Sequence, residues 1–171
     1  MNSREIVMST LEYSGPERVA RSFHDSDIAG CEYTVKTHAT SWEKVDDTRW
    51  ERIDEWGNVW GRVDPTSKGE VVKGVLEDTE DYDAYEFPDF SKFEDYKTAT
   101  ECKAQNPDKW IVGNMPGFTF NIARKLFKLE NYFVKLMLER EQIHRLHDRI
   151  DEMLIDMIQN YAKAGVGRHS K

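Results

Sequence analysis

The stretch WERIDEWGNVWGRV, residues 50–63, decides how the chain is read. Apolar residues alternate on either side of Gly57-Asn58, and Gly at the first central position of a two-residue turn predicts a type II′ β-hairpin. Residues 70–76 follow the turn-forming run Asp64-Pro65-Thr66-Ser67-Lys68-Gly69 and predict a third strand, completing a small meander. At its centre stands Asp54-Glu55-Trp56-Gly57, and two readings of it remain open. Either Asp54 is a rigidly held carboxylate facing a ligand with Trp56 beside it, or it is a solvated strand-end acid. On the second reading Trp50, Trp56 and Trp60 are ordinary packing residues.

Working outward, Asn2 with Glu5 forms a capping-box pattern that predicts a short helix, ended by Gly15-Pro16. Residues 18–23 read as a short buried strand, which sets His24-Asp25-Ser26-Asp27 at its C-terminal end, where α/β folds gather function. The competing reading of His24 is a solvated turn. Residues 31–49 carry no clear periodicity. Beyond the meander, the acidic run of residues 77–83 lacks the spacing and Gly of a calcium loop and reads as a solvated face. Ser91 with Glu94 predicts a second capping box, opening a helix that runs to Asn106-Pro107-Asp108. Trp110–Gly113 then reads as a buried strand, and Asn114 at its end either offers an amide to a ligand or is an ordinary residue before the Pro116-Gly117 turn. Residues 118–128 and 129–138 predict one or two shorter helices with a break near Lys128. Ile143, Leu146, Ile150, Met153, Leu154, Met157, Ile158 and Tyr161 form the apolar stripe of a long amphipathic helix. Met8, Met115, Met137, Met153 and Met157 read as core filler.

The 171 residues suit one domain, and a net charge of -8 argues against nucleic acid and anionic membrane as partners, since both require a basic footprint. No apolar run approaches membrane-spanning length, and Arg4 and Glu5 interrupt any signal-like segment, so a cytoplasmic location is expected. Cys31 and Cys102 form no Cys-x-x-Cys pair, which indicates neither a disulfide framework nor a thiolate zinc site. Glu141-Gln142-Ile143-His144 has the spacing of a helical di-iron motif but lacks a second copy, so His144 and His147 read as surface residues. Signatures for phosphate loops, nucleophile elbows and zinc proteases are missing.

The order of Gly15-Pro16-Glu17-Arg18-Val19, Asp54-Glu55-Trp56-Gly57 with Val59-Trp60, Gly69-Glu70-Val71 before Leu76-Glu77-Asp78, Phe87-Pro88-Asp89 and Leu129-Glu130-Asn131 resembles the first half of the uroporphyrinogen decarboxylase superfamily. That superfamily also holds methyltransferases that exchange methyl groups with corrinoid proteins. The resemblance implies an α/β fold, the N-terminal half of a (β/α)8 TIM barrel with an inserted hairpin or meander, as a single partial domain over residues 1–171. It makes residues 19–23 the first barrel strand and Trp110–Gly113 the second, with ligand chemistry at the strands' C-terminal ends. It also implies that Asp54 accepts hydrogen bonds from pyrrole N–H groups and stabilises a cationic intermediate. Asp54→Asn is then expected to spare the fold and slow turnover. Asp54 and His24 are the catalytic candidates, and Asn114, Arg21 and Trp56 the substrate-binding ones.

The sequence departs from the decarboxylases where they carry Arg-Gln-Ala-Gly-Arg-Tyr, a segment that grips substrate carboxylates. Here it reads Arg21-Ser22-Phe23-His24-Asp25-Ser26-Asp27, and its added acids oppose a polycarboxylate. Methyl transfer is therefore expected over decarboxylation, with a non-catalytic barrel fragment as the remaining alternative. By resemblance the cofactors are zinc, held by residues outside these 171, and a corrinoid protein; no residue here is assigned to a metal. Expected partners are a small molecule or corrinoid-protein substrate, a second copy, or a C-terminal half. Lys128 and Lys135 stand where relatives often have Gly and Asp. The tail Gly167-Arg168-His169-Ser170-Lys171 is too polar and short for the next strand, so the chain is expected to be truncated and unstable or oligomeric alone.

Overall fold

A computed structural model describes residues 1–167, and the polar tail from residue 168 on lies outside them. The order is α1 (Ser3–Leu11), β1 (Ile28–Cys31), β2 (Glu43–Asp46), β3 (Arg49–Ile53), β4 (Val59–Arg62), β5 (Glu70–Lys73), α2 (Lys97–Gln105), β6 (Trp110–Gly113), α3 (Thr119–Leu126), α4 (Leu129–Leu138) and α5 (Arg140–Lys163). Short 3₁₀ turns occupy Thr79–Asp83 and Phe93–Tyr96. The fold is mixed α/β with two small sheets, and the described residues form no closed barrel. No helix among them is long and apolar enough to cross a membrane. By its contacts the chain divides into two units, one of Met1–Thr34, Phe90–Met115 and the end of α5 from Asp156, the other of Val35–Asp89 and Pro116–Ile155.

In the first unit the capping box forms as expected: the Asn2 side chain accepts from Glu5 N, and the Glu5 carboxylate accepts from Asn2 N. Residues 18–23, by contrast, are not a strand, and Val19 and Phe23 are exposed. Asp27 overrides the apolar pattern. Its fully buried carboxylate receives both Arg18 guanidinium nitrogens at 2.6 Å, Ser3 Oγ at 2.6 Å and Arg21 N at 2.9 Å, which wraps the segment into a loop. The first strand is therefore Ile28–Cys31, paired in parallel with β6 from Ile28↔Trp110 to Cys31↔Gly113. Ser91 and Glu94 do not open α2, whose N-cap is Tyr96; that tyrosine is buried, donating its hydroxyl to Phe90 O at 3.0 Å.

In the second unit β2-β3-β4-β5 form an antiparallel sheet. The hairpin of β3 and β4 forms, but its loop is one residue longer than the type II′ reading. Asp54 N donates to Asn58 O at 3.0 Å and Gly57 N to Asp54 O at 3.1 Å, which leaves a three-residue loop with Gly57 at φ +90°. Strand β2 was not anticipated, because all four of its residues are exposed and show no alternation. The break at Lys128 is real. Leu76 N donates to Leu126 O at 2.9 Å, and a Cβ on Gly74 would lie 2.2 Å from that same oxygen, so the backbone after β5 packs directly on the α3–α4 junction. Lys128 adopts φ 65°, ψ 146°, a region close to glycine-only. Lys135 is buried: its ammonium is disfavoured by burial but held above the ordinary lysine pKa by Asp78 at 2.9 Å and Glu139 at 3.5 Å.

The apolar stripe of α5 is buried at Ile143, Leu146, Ile150, Met153, Leu154, Met157 and Tyr161, whereas Ile158 faces outward. Of the methionines read as filler, Met153 and Met157 are buried, Met8 is half-buried, and Met115 and Met137 are exposed. His147 is also less superficial than expected, with Nε2 3.0 Å from the Tyr132 hydroxyl, and burial lowers its pKa.

Two outcomes follow from these placements. Lys128→Gly should stabilise the protein by about 1 kcal/mol, because strain of roughly 1–3 kcal/mol is partly offset by the greater backbone freedom of unfolded glycine; a urea midpoint that falls instead would contradict the left-handed placement. Asp27 is held well below the usual carboxylate range by the Arg18 hydrogen bonds, with Ser3 adding to them. A depressed folded pKa means its stabilisation is complete above the unfolded value near 4 and is lost as pH falls through the folded one. Denaturation midpoints measured from pH 7 to pH 2 should therefore decline below about pH 4, with a shallower decline in Asp27→Asn; identical slopes would remove Asp27 as a cause.

Candidate functional site

The register of the parallel pair builds one candidate site, in the first unit. Cys31 lies opposite Gly113, so the residues that follow each strand, Glu32 and Asn114, meet at the C-terminal ends, and the Asn114 amide donates to Glu32 Oε1. Both are exposed. Behind them Asn114 N donates to Cys31 O at 3.0 Å, and the Tyr161 hydroxyl donates to Asn114 O at 2.9 Å. The Tyr161 ring lies so close to β6 that a Cβ on Gly113 would approach it to 2.8 Å, and it meets Tyr96 edge-on at 4.9 Å. Burial raises the phenol pKa of both tyrosines. The Cys31 thiol is pushed up to about 11 by burial, so it stays protonated and unreactive at neutral pH. A carboxylate and an amide on a rigid floor can together accept from and donate to one polar ligand.

Of the residues singled out in the sequence, only Asn114 lies at these strand ends. Because β1 starts at Ile28, Arg21 and His24 precede it and stand at its N-terminal side. The His24 side chain is 91% exposed and its Nδ1 lies 3.2 Å from Asp25 Oδ2. Glu32 went unrecognised; only the correct boundaries of β1 reveal it as the partner of Asn114.

Asp54 forms a second cluster, in the second unit, and is 1% exposed. Oδ1 accepts from Trp56 N at 3.0 Å and Asn58 N at 2.9 Å, while Oδ2 accepts from Asn58 Nδ2 at 3.0 Å and Trp60 Nε1 at 2.7 Å. Four donors from its own hairpin thus occupy both oxygens. The Asn58 side chain extends the arrangement by accepting from Val75 N at 3.1 Å. Trp56 is fully buried, and its carbonyl accepts the Tyr85 hydroxyl, whose pKa burial raises, with Asp54 adding to the effect. The arrangement holds a loop in shape; it leaves the Asp54 carboxylate no lone pair directed at solvent.

In comparisons with protein-family models, curated proteins and solved structures, nothing matches this chain. The resemblance therefore rests on the residues themselves. Among the described residues no group of three His, Cys, Asp or Glu side chains is placed to hold a metal ion.

Asp54→Asn should now destabilise the protein by roughly 3 kcal/mol, because an amide NH2 would face the N–H groups of Asn58 or Trp60 and leave buried donors without an acceptor. Thermal unfolding compared with wild type checks this, and an unchanged melting temperature would return Asp54 to the solvated reading.

Proposed function

We propose that the chain is part of a (β/α)8-type barrel of the uroporphyrinogen decarboxylase superfamily, working in the cytoplasm in methyl exchange with a corrinoid protein. The observation that carries this reading is the parallel β1–β6 pair, whose C-terminal ends bring Glu32 and Asn114 together in exposed positions. Ligand chemistry in such barrels lies at that end of the strands. Asn114 would donate its amide to the bound group and Glu32 accept from it, the two orienting the ligand, while Tyr161 fixes the Asn114 backbone from behind.

Methyl transfer is preferred to porphyrinogen decarboxylation on electrostatic grounds. The strand ends carry the Glu32 carboxylate, and Arg18 and Arg21 sit in the loop before β1, with Arg18 already engaged by Asp27. A substrate bearing several carboxylates would meet repulsion there. One observation favours a non-catalytic reading as well: the aspartate expected to stabilise a cationic intermediate has both oxygens occupied by its own loop.

Methylcobalamin titrated into the purified chain, followed by absorbance and calorimetry, tests the proposal without requiring turnover. Saturable binding that weakens about tenfold or more in Asn114→Ala, a loss of about 1.4 kcal/mol, is the expected result. Wild-type protein that shows no binding up to about 1 mM, an affinity near 4 kcal/mol, would assign the pair to structure alone.

A further inference from the structure

One face of the antiparallel sheet segregates charge in a way the proposed reaction does not use. Across the register, Glu43, Glu51, Gly61 and Glu70 align in one row, which places three carboxylates on one side of the sheet. Trp50 and Arg52 on β3, and Trp60 and Arg62 on β4, alternate to the other side. There they interleave with Trp42 and Lys125. Arg62 lies over Trp50 at 5.3 Å and over Trp42 at 4.2 Å, Arg52 over Trp42 at 5.3 Å and over Trp60 at 5.1 Å, and Lys125 over Trp60 at 5.4 Å. The order is thus Trp50, Arg62, Trp42, Arg52, Trp60, Lys125, a ladder of alternating indoles and cations.

Indole faces stabilise these cations by about 0.5–2 kcal/mol each but do not neutralise them. The Nε atoms of Arg52 and Arg62 are buried and lack an acceptor, and among the described residues neither guanidinium, nor Lys125, forms an ion pair within 4 Å, although Arg62 acts on the Asp64 carboxylate at longer range. This is unusual in a chain with 32 acidic residues against 24 basic ones, where carboxylates are plentiful. Lys125 also lines a cavity of about 210 Å³ with Trp60, Arg124, Lys128 and the acids Glu70 and Glu130; Glu130 lies 3.7 Å from Lys128.

We propose that this ladder is a docking face for an extended acidic peptide segment of another protein, whose carboxylates engage the outward edges of Arg62 and Arg52 and the Lys125 ammonium in turn. Successive cations are separated by one indole, on the order of 10 Å, which three residues in polyproline II conformation span at about 3.1 Å each, with every third side chain returning to the same face. Acids three residues apart therefore match the ladder. A guanidinium held between two indoles is already partly immobilised, so less side-chain entropy is lost when its planar fork takes a carboxylate. Nucleic acid is a poorer fit for two reasons. The indole faces on which bases would stack are covered by guanidinium groups, and a long polyanion would run from the ladder onto a surface of net charge -8.

A fluorescein-labelled heptapeptide with Glu at positions one, four and seven and Ala elsewhere, titrated by anisotropy at low salt, tests the proposal. Expected results are saturable binding by the wild-type protein, none by the same peptide with Gln for each Glu, and a loss of tenfold or more in the double variant Arg52→Gln, Arg62→Gln. Lys125→Gln, on α3 and outside the sheet, should lose several-fold and guards against a double variant that fails to fold. Absence of saturation up to about 1 mM, equal binding of the Gln peptide, unchanged affinity in Lys125→Gln, or tighter binding of a thymidylate decamer than of the peptide would each overturn it.

Discussion

The four hydrogen bonds converging on the Asp54 carboxylate are the constraint on which the second unit depends. They fix the three-residue loop, align Asn58 so that its side chain receives Val75 N, and orient the Trp60 indole through Nε1. Asn58 thereby ties the hairpin loop to the segment after β5, where the close approach at Gly74 seats the backbone on Leu126. Trp60 in turn carries Arg52 on one side and Lys125 on the other. A buried carboxylate with every lone pair engaged is strongly specifying, because each donor would be orphaned by its removal. The aromatic ladder is thus a consequence of the loop, one hydrogen bond removed.

What could be read from the sequence follows how local the governing signal is. The Asn2–Glu5 capping box, the Asp64 turn, the break at Lys128 and the buried stripe of α5 depend on residues close in sequence, and they appear where expected apart from Ile158 in the stripe. The first strand was misplaced because the decisive contact, Arg18 with Asp27, pairs residues nine apart across a loop with no periodic mark. The short run holding Val19, Ala20 and Phe23 then imitated a buried strand. Ser91 and Glu94 imitated a cap for the opposite reason: the local pattern is present, but Tyr96 is drawn into the core and the helix opens there instead.

The candidate site was less legible than the fold. Asn114 was found because it directly follows a strand whose apolar run is unambiguous, whereas Glu32 depended on a boundary the sequence obscured. Asp54 was singled out as a carboxylate in an aromatic hairpin that would accept from a ligand's N–H groups, but the donors it meets are its own loop's backbone and side chains. A carboxylate at a hairpin tip carries the same signature whether it awaits a ligand or has already captured its neighbours. The distinction leaves the strand ends of the first unit and the cationic face of the second as the places where polar recognition is proposed.

The most direct measure of that distinction is hydrogen exchange at the Trp60 indole Nε1–H, followed by NMR on the native protein. Held at 2.7 Å from Asp54 Oδ2, this proton should exchange only when the hairpin opens, with protection comparable to the backbone amides of β3 and β4. Exchange at the rate of a free indole would mean that the Asp54 carboxylate is not engaged by its own hairpin and remains available to a ligand.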